Sequence, residues 1–184
     1  MGARCSIVEC VTPFCFEHVF TAPSPDAVLA AYFDADLQAE QDRAIDVSER
    51  DVLELVDDGA QVYRVTRVVP RRQLPPLLAT LAGGPLHYIE IARWKRSTSE
   101  IDIEIRPSLM GGRARVTATY RLDVVAPGIV RRRYAGHVSV NVTLLASRVE
   151  RGIVAEFERS MPLAATCTQA WLDRQSVTSV TPQA

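Results

Sequence analysis

From Ser147 to Arg174 the sequence carries a long two-faced pattern. At about 100° per residue, Val149, Ile153, Phe157, Met161, Ala164, Cys167 and Trp171 share one arc, and Arg151, Glu158, Arg159, Gln169 and Asp173 fall opposite. A helix with one broad apolar face must bury it against something equally broad, and the chain immediately before it offers only strands. The spacing therefore predicts a terminal helix laid across a sheet. Ser147-Arg148-Val149-Glu150 reads as a capping box, with the serine closing the first free N–H groups and the glutamate reaching back to the serine's own N–H. Pro162 removes one intrahelical hydrogen bond and crowds the carbonyl of Glu158, at a cost of about 3 kcal/mol, so a bend is expected there.

The rest of the chain supplies that sheet. Residues 1–13 are weakly periodic and read as an N-terminal arm, 14–174 as one domain and 175–184 as a tail. Phe14, Phe16, His18 and Phe20 separate from Cys15, Glu17, Val19 and Thr21 in a first strand. Ser24-Pro25-Asp26 starts a helix that buries Val28, Leu29, Tyr32 and Phe33, and Asp34 to Arg43 is a second, mostly polar helix anchored by Leu37. Asp58-Gly59 makes a hairpin of strands Asp51–Val56 and Gln61–Val69. Residues 70–85 break the alternation, and Leu74, Leu77, Leu78 and Leu81 make this an apolar loop suited to close over something. Strands return at Leu86–Lys95, around Ile101, Ile103 and Ile105, from Ala114 to Val124, and through Val138 and Val140 to Leu144.

Composition removes several classes of function. Among 184 residues, 21 basic side chains face 22 acidic ones, so the charge excess of a nucleic-acid binder is missing. No apolar run approaches the ~18 residues of a membrane span, and no secretory signal pattern opens the chain, so stable membrane insertion is not expected and a cytoplasmic location is. Cys5, Cys10, Cys15 and Cys167 form no C-x-x-C pair, and the three histidines lie far apart. No metal site and no cofactor is expected.

Strand, two helices, six antiparallel strands and a long helix is a distinctive order, an α+β architecture in which a curved seven-stranded antiparallel sheet grips the C-terminal helix. With Phe16 to Phe20 leading into Ala22-Pro23, Tyr88-x-Glu90 with Trp94, and the last strand running into Ser147–Glu150, the chain resembles the START-like superfamily. This is the helix-grip fold of polyketide cyclases and lipid-transfer domains, and within it the chain is most similar to a bacterial family of unknown function. The resemblance spans residues 14–174 and implies a ligand cavity between sheet and helix.

Its expected walls on the first five strands are Phe16, Phe20, Val65, Tyr88, Trp94 and Ile103, and beyond them Tyr120, Val140, Phe157, Met161 and Trp171. The loop leucines Leu74, Leu77, Leu78 and Leu81 would be the lid. Glu90 shares a strand face with Tyr88, Ala92 and Trp94, where a lone carboxylate must be paired, hydrated or neutral. Arg64 or Arg93 are its natural partners. His18, among phenylalanines, is the other polar anchor. His137 falls on the polar side of its strand, Tyr120 and Tyr134 can offer hydroxyls, and Arg131-Arg132-Arg133 reads as a solvated run. The leading functional expectation is a module holding a hydrophobic small molecule, such as a lipid or polyketide-like compound. Two alternatives are a cyclase- or dehydratase-like enzyme moving protons through Glu90 or His18, and a ligand-free protein-interaction module. A cavity near ~300 Å³ or above favours the first two and a packed interior the third.

Overall fold

The structure is a computed structural model and describes residues 11–71, 85–141 and 145–178. Its strands are β1 (Val11–Thr21), β2 (Val47–Asp57), β3 (Gln61–Pro70), β4 (Tyr88–Lys95), β5 (Glu100–Pro107), β6 (Ala114–Ala126) and β7 (Ile129–Val140). The helices are α1 (Pro25–Phe33), α2 (Ala35–Ile45) and α3 (Ala146–Thr178). All strand pairs are antiparallel, in the order β1-β7-β6-β5-β4-β3-β2. The element order is the expected one.

Residues opposed across an antiparallel pair project to the same side, so the register decides what the sheet encloses. Phe16, Tyr134, Tyr120, Ile101, Trp94 and Val62 form one row across six strands. The adjacent row is Phe14, Gly136, Ala118, Ile103, Ala92 and Arg64, and the next contains Val138, Val116, Ile105, Glu90 and Thr66. These rows make the inner face. It is mostly apolar, yet Arg64, Thr66, Glu90 and Arg132 lie on it as well.

Local sequence explains the helices that cover this face. The Ser24 hydroxyl accepts from the Ala27 N–H at 3.3 Å, and Pro25 opens α1. Asp34 closes α1 with its own N–H, given to the Ala31 carbonyl, and starts α2 with its side chain, which accepts from the Leu37 N–H at 2.8 Å. Leu37 is buried as expected. Helix α3 packs against β1, β7, α1 and α2, continues through Pro162, and brings Phe157 against Phe14 and Tyr134 with ring centroids 5.2 and 5.9 Å away.

Three expectations need correction. Strands β1 and β2 start earlier, at Val11 and Val47, and β7 starts at Ile129, so the arginine run lies within a strand and Arg132 turns inward at 3% exposure. Val65 lies on the outer side of β3, because Arg64 and Thr66 take the inward positions between Val62 and Val68. The capping box does not form. Helix α3 begins at Ala146, which places Ser147 inside it, and Glu150 is fully buried with Oε1 accepting from the Val140 N–H (3.1 Å) and Oε2 from the Thr12 hydroxyl (2.6 Å). A buried donor from β7 and a part-buried one from β1 take Glu150 as their acceptor, and this demand outweighs the local motif.

Edge strand β2 contributes little to the core. Leu53 and Leu55 are 57% and 59% exposed, so the strand is held mainly by its ladder to β3. Glu49, Asp51, Glu54 and Asp57 punctuate it with charge, which discourages edge-to-edge pairing.

Glu150→Ala is expected to cost about 1–3 kcal/mol for each donor left without an acceptor, and Glu150→Gln less, because the amide still accepts. Urea unfolding of both variants checks the ordering. A second expectation concerns Gly136, where an added Cβ would stand 2.1 Å from the Thr117 carbonyl oxygen and 2.6 Å from the Ala118 Cα. Both are backbone atoms of β6. Gly136→Ala should therefore lose about 1–3 kcal/mol or more in the same assay, and trimming Ala118 to glycine should not restore it.

Candidate functional site

Beneath α2 and α3 the inner face leaves a hollow of about 130 Å³. From the sheet it is lined by Arg50, Arg64, Tyr88, Glu90, Ile103, Ile105, Tyr120, Arg132 and Tyr134. The helices add Tyr32, Gln38, Gln41, Phe157, Ser160, Met161, Ala164 and Thr168. The lining is far more polar than expected.

Its centre is built on Glu90, which β4 points inward. Tyr32, at the end of α1, donates its hydroxyl proton to Glu90 Oε1 at 3.0 Å, and Arg64 Nη2 stands 3.6 Å from the same oxygen. Arg64 is only 3% exposed, and its guanidinium lies against the rings of Tyr32 and Phe33, 5.2 and 4.8 Å from their centroids. Expecting Arg64 as the partner of Glu90 was right. Burial, reinforced by the Glu90 charge and opposed by Arg64, holds the Tyr32 phenol well above its ordinary pKa. Burial likewise raises Tyr88, Tyr120 and Tyr134. At neutral pH these tyrosines are hydrogen-bond donors and not bases.

The helical side is tied down by amides. Gln38 Nε2 donates to the Tyr32 carbonyl (3.0 Å), and Gln41 Nε2 donates to the Thr168 hydroxyl (3.1 Å), joining α2 to α3. Arg50 from β2 makes a two-pronged pair with Asp42 of α2, with Nε–Oδ2 and Nη2–Oδ1 both 2.8 Å.

At another part of the wall, Arg132 Nη2 is 2.8 Å from His18 Nδ1. A guanidinium cannot accept, so Nδ1 is the acceptor and neutral His18 carries its proton on Nε2. Burial, followed by the nearby Arg132 charge, lowers the His18 pKa to about 4. His18 thus reaches the hollow only through Arg132. It does not present a free lone pair at Nδ1.

Of the expected wall, Tyr88, Glu90, Ile103, Tyr120, Phe157 and Met161 meet at the hollow. Phe16, Phe20, Trp94, Val140 and Trp171 pack in or against the core instead. Trp94 is occupied by the Thr98 carbonyl, to which its indole N–H donates, and by Phe33, stacked at 5.8 Å. Val65 faces outward. Leu74, Leu77, Leu78 and Leu81 lie outside the described residues. Missed altogether were Gln38, Gln41, Arg50, Arg132 and the α3 residues Ser160 and Thr168. Counting back by twos from Val138 would have found Arg132, and the shared helical face of Leu37, Gln38 and Gln41 would have found the amides. Among the described residues, no group of three His, Cys, Asp or Glu side chains is placed to hold a metal, and no helix is long and apolar enough to cross a membrane.

Residues 16–172 match a family described as proteins of unknown function, DUF2505. The chain belongs to the DUF2505 family. No curated protein matches this DUF2505 chain in sequence. Its fold is similar to that of the Zhui aromatase/cyclase from Streptomyces sp. R1128, at 12% identity and TM-score 0.65, covering 91% of this chain and 96% of the other. A START superfamily protein from Mycobacterium smegmatis is similar at 10% identity and TM-score 0.56, covering 89% and 98%. Norcoclaurine synthase from Thalictrum flavum, in complex with dopamine and hydroxybenzaldehyde, is similar at 10% identity and TM-score 0.55, covering 96% and 92%. These likenesses establish the START-like helix-grip fold for this DUF2505 protein.

The depressed His18 pKa has a measurable sign. Between about 4 in the folded protein and 6.5 in the unfolded chain, the unfolded state binds more protons, so His18 costs stability as pH falls through that window. His18→Gln keeps an acceptor for Arg132 and removes the titration. Its Tm should fall less than that of the natural protein on acidification from 6.5 to 4, as read by thermal unfolding at a series of pH values.

Proposed function

We propose that this protein binds a small organic molecule with an apolar body and polar substituents in the hollow beneath α2 and α3. The observation that carries the reading is an unfilled, internally hydrogen-bonded space in which Tyr32, Glu90 and Arg64 are fixed before any ligand arrives. Preorganised polar groups in a partly apolar concavity are the signature of small-molecule sites, and they reduce the ordering cost of binding. The START-like neighbours, whose names include a cyclase and a synthase holding aromatic compounds, support the same reading. Size refines it. At about 130 Å³ the hollow is below the ~300 Å³ common for ligand pockets and close to the ~150 Å³ of an engineered cavity that takes up benzene, so the occupant is about one ring in size. A long acyl chain does not fit this geometry.

A second reading shares the site. Glu90 accepts from Tyr32 within the hollow, so a carbonyl substrate could lose a proton to Glu90 while Tyr32 and Arg64 hold the developing oxyanion. That is an enzyme of the cyclase or dehydratase type. His18 Nδ1 accepts from Arg132 and so is not the base in this reading.

The binding reading is tested by native mass spectrometry of the protein purified from its own host, joined to a thermal-shift panel of single-ring compounds. A ligand at a hundred times its Kd adds about 2.7 kcal/mol, or roughly 5–10 °C for a domain of this size. Ala164→Phe, which places a ring at the wall of the hollow, should abolish the shift while leaving the fold intact by circular dichroism. No retained mass and no stabilising compound would overturn the reading.

A further inference from the structure

The hollow contains more positive than negative charge. Arg50 is answered by Asp42, and Arg64 by Glu90. Among the described residues no carboxylate stands within 4 Å of Arg132. Its Nη2 donates to His18 Nδ1 and, at 3.5 Å, to the Met161 carbonyl. Its guanidinium lies against the Phe20 and Tyr120 rings at 5.3 and 5.5 Å, and its Nε–H has no acceptor. The side chain is 3% exposed, and it lines the hollow. His18 stays neutral at physiological pH and offers no countercharge.

A buried guanidinium without a counterion is costly, and rings and a neutral imidazole compensate only part of that cost. One uncompensated positive charge calls for one negative charge. A carboxylate suits such a group, because a guanidinium offers it two parallel N–H donors in the planar two-pronged manner. Phe157, Met161 and Ala164 on the opposing helix need an apolar body to cover them, which a bare inorganic anion lacks.

We propose that the occupant of the hollow is a small organic acid whose carboxylate seats on Arg132, with its apolar body against Tyr120, Phe157 and Met161. The assignment rests on the binding reading above and names the chemical class of the ligand.

The experiment titrates the full-length protein at neutral pH with benzoate and with benzyl alcohol, probes matched in ring and different in charge, and with inorganic phosphate. Calorimetry gives affinities. The Arg132 Nε–H resonance, assigned by its loss in Arg132→Met, reports the contact in the natural protein. Benzoate is expected to bind at least about tenfold more tightly than the alcohol and to move that resonance, as a hydrogen bond to a charged group implies. Arg132→Met should bring the two probes within about threefold of each other, and Arg132→Lys should retain part of the preference. Equal binding of both probes, or a preference that survives in Arg132→Met, would overturn the acid assignment and leave the binding reading standing. Phosphate binding as tightly as benzoate would replace the organic acid with a simple anion site and so overturn the proposal. If neither benzoate nor benzyl alcohol binds, both the assignment and the reading beneath it fall.

Discussion

Register is the constraint from which the structure follows. Six strands align Phe16, Tyr134, Tyr120, Ile101, Trp94 and Val62 in one row, with parallel rows on either side, so a single face is enclosed from β1 to β3. A side chain in such a row is enclosed whatever its polarity, since moving one residue outward would turn its whole strand over. Helices α1, α2 and α3 cover that face, and Phe157 docks on Phe14 and Tyr134. The hollow is what remains where the covering stops short of the sheet.

The polar groups trapped there are stabilised in three ways. Arg50 and Arg64 have carboxylates, the guanidinium groups of Arg64 and Arg132 lie on aromatic faces, and Glu90 receives a phenolic proton from Tyr32. Each bond also fastens two elements together: α1 to β4 through Tyr32, α2 to β2 through Asp42, and α2 to α3 through Gln41 and Thr168. Such networks are strong when every member is satisfied, because the surroundings are less polarisable than water. Among the described residues Nε of Arg64, Arg131 and Arg132 and Oγ1 of Thr66 lack a hydrogen-bond partner, and of these three arginines Arg132 alone also lacks a carboxylate within 4 Å.

Periodicity made the fold readable. Alternation in β5 and β6, the Ser24 cap and the Asp58-Gly59 turn each come from short-range physics, and each is where the sequence puts it. The site was readable where its residues share a face with the hydropathy pattern, as Tyr88, Glu90, Ile103 and Phe157 do. Arg64, Arg132 and Val65 break the assumption that apolar means inward. In β3 Arg64 takes an inner position while Val65 lies outside, and in β7 Arg132 shares the inner face with Val130 and Val138, which only the register with neighbouring strands reveals. Glu150 failed differently. Its local motif is genuine, but its buried acceptor capacity is claimed by Val140 and Thr12, residues near in space and far from a helix-start pattern.

The placement of Arg132 beneath Phe20 and Tyr120 also decides how the charge responds to its surroundings. Dissolved ions screen charges on a protein surface, over about 10 Å at 0.1 M ionic strength, but have little effect on one sealed under rings. The exposed arginines of β5 and β6, Arg106 and Arg121, are neutralised as readily by electrolyte as by Glu104 and Glu100. Arg132 is screened far less than those surface charges.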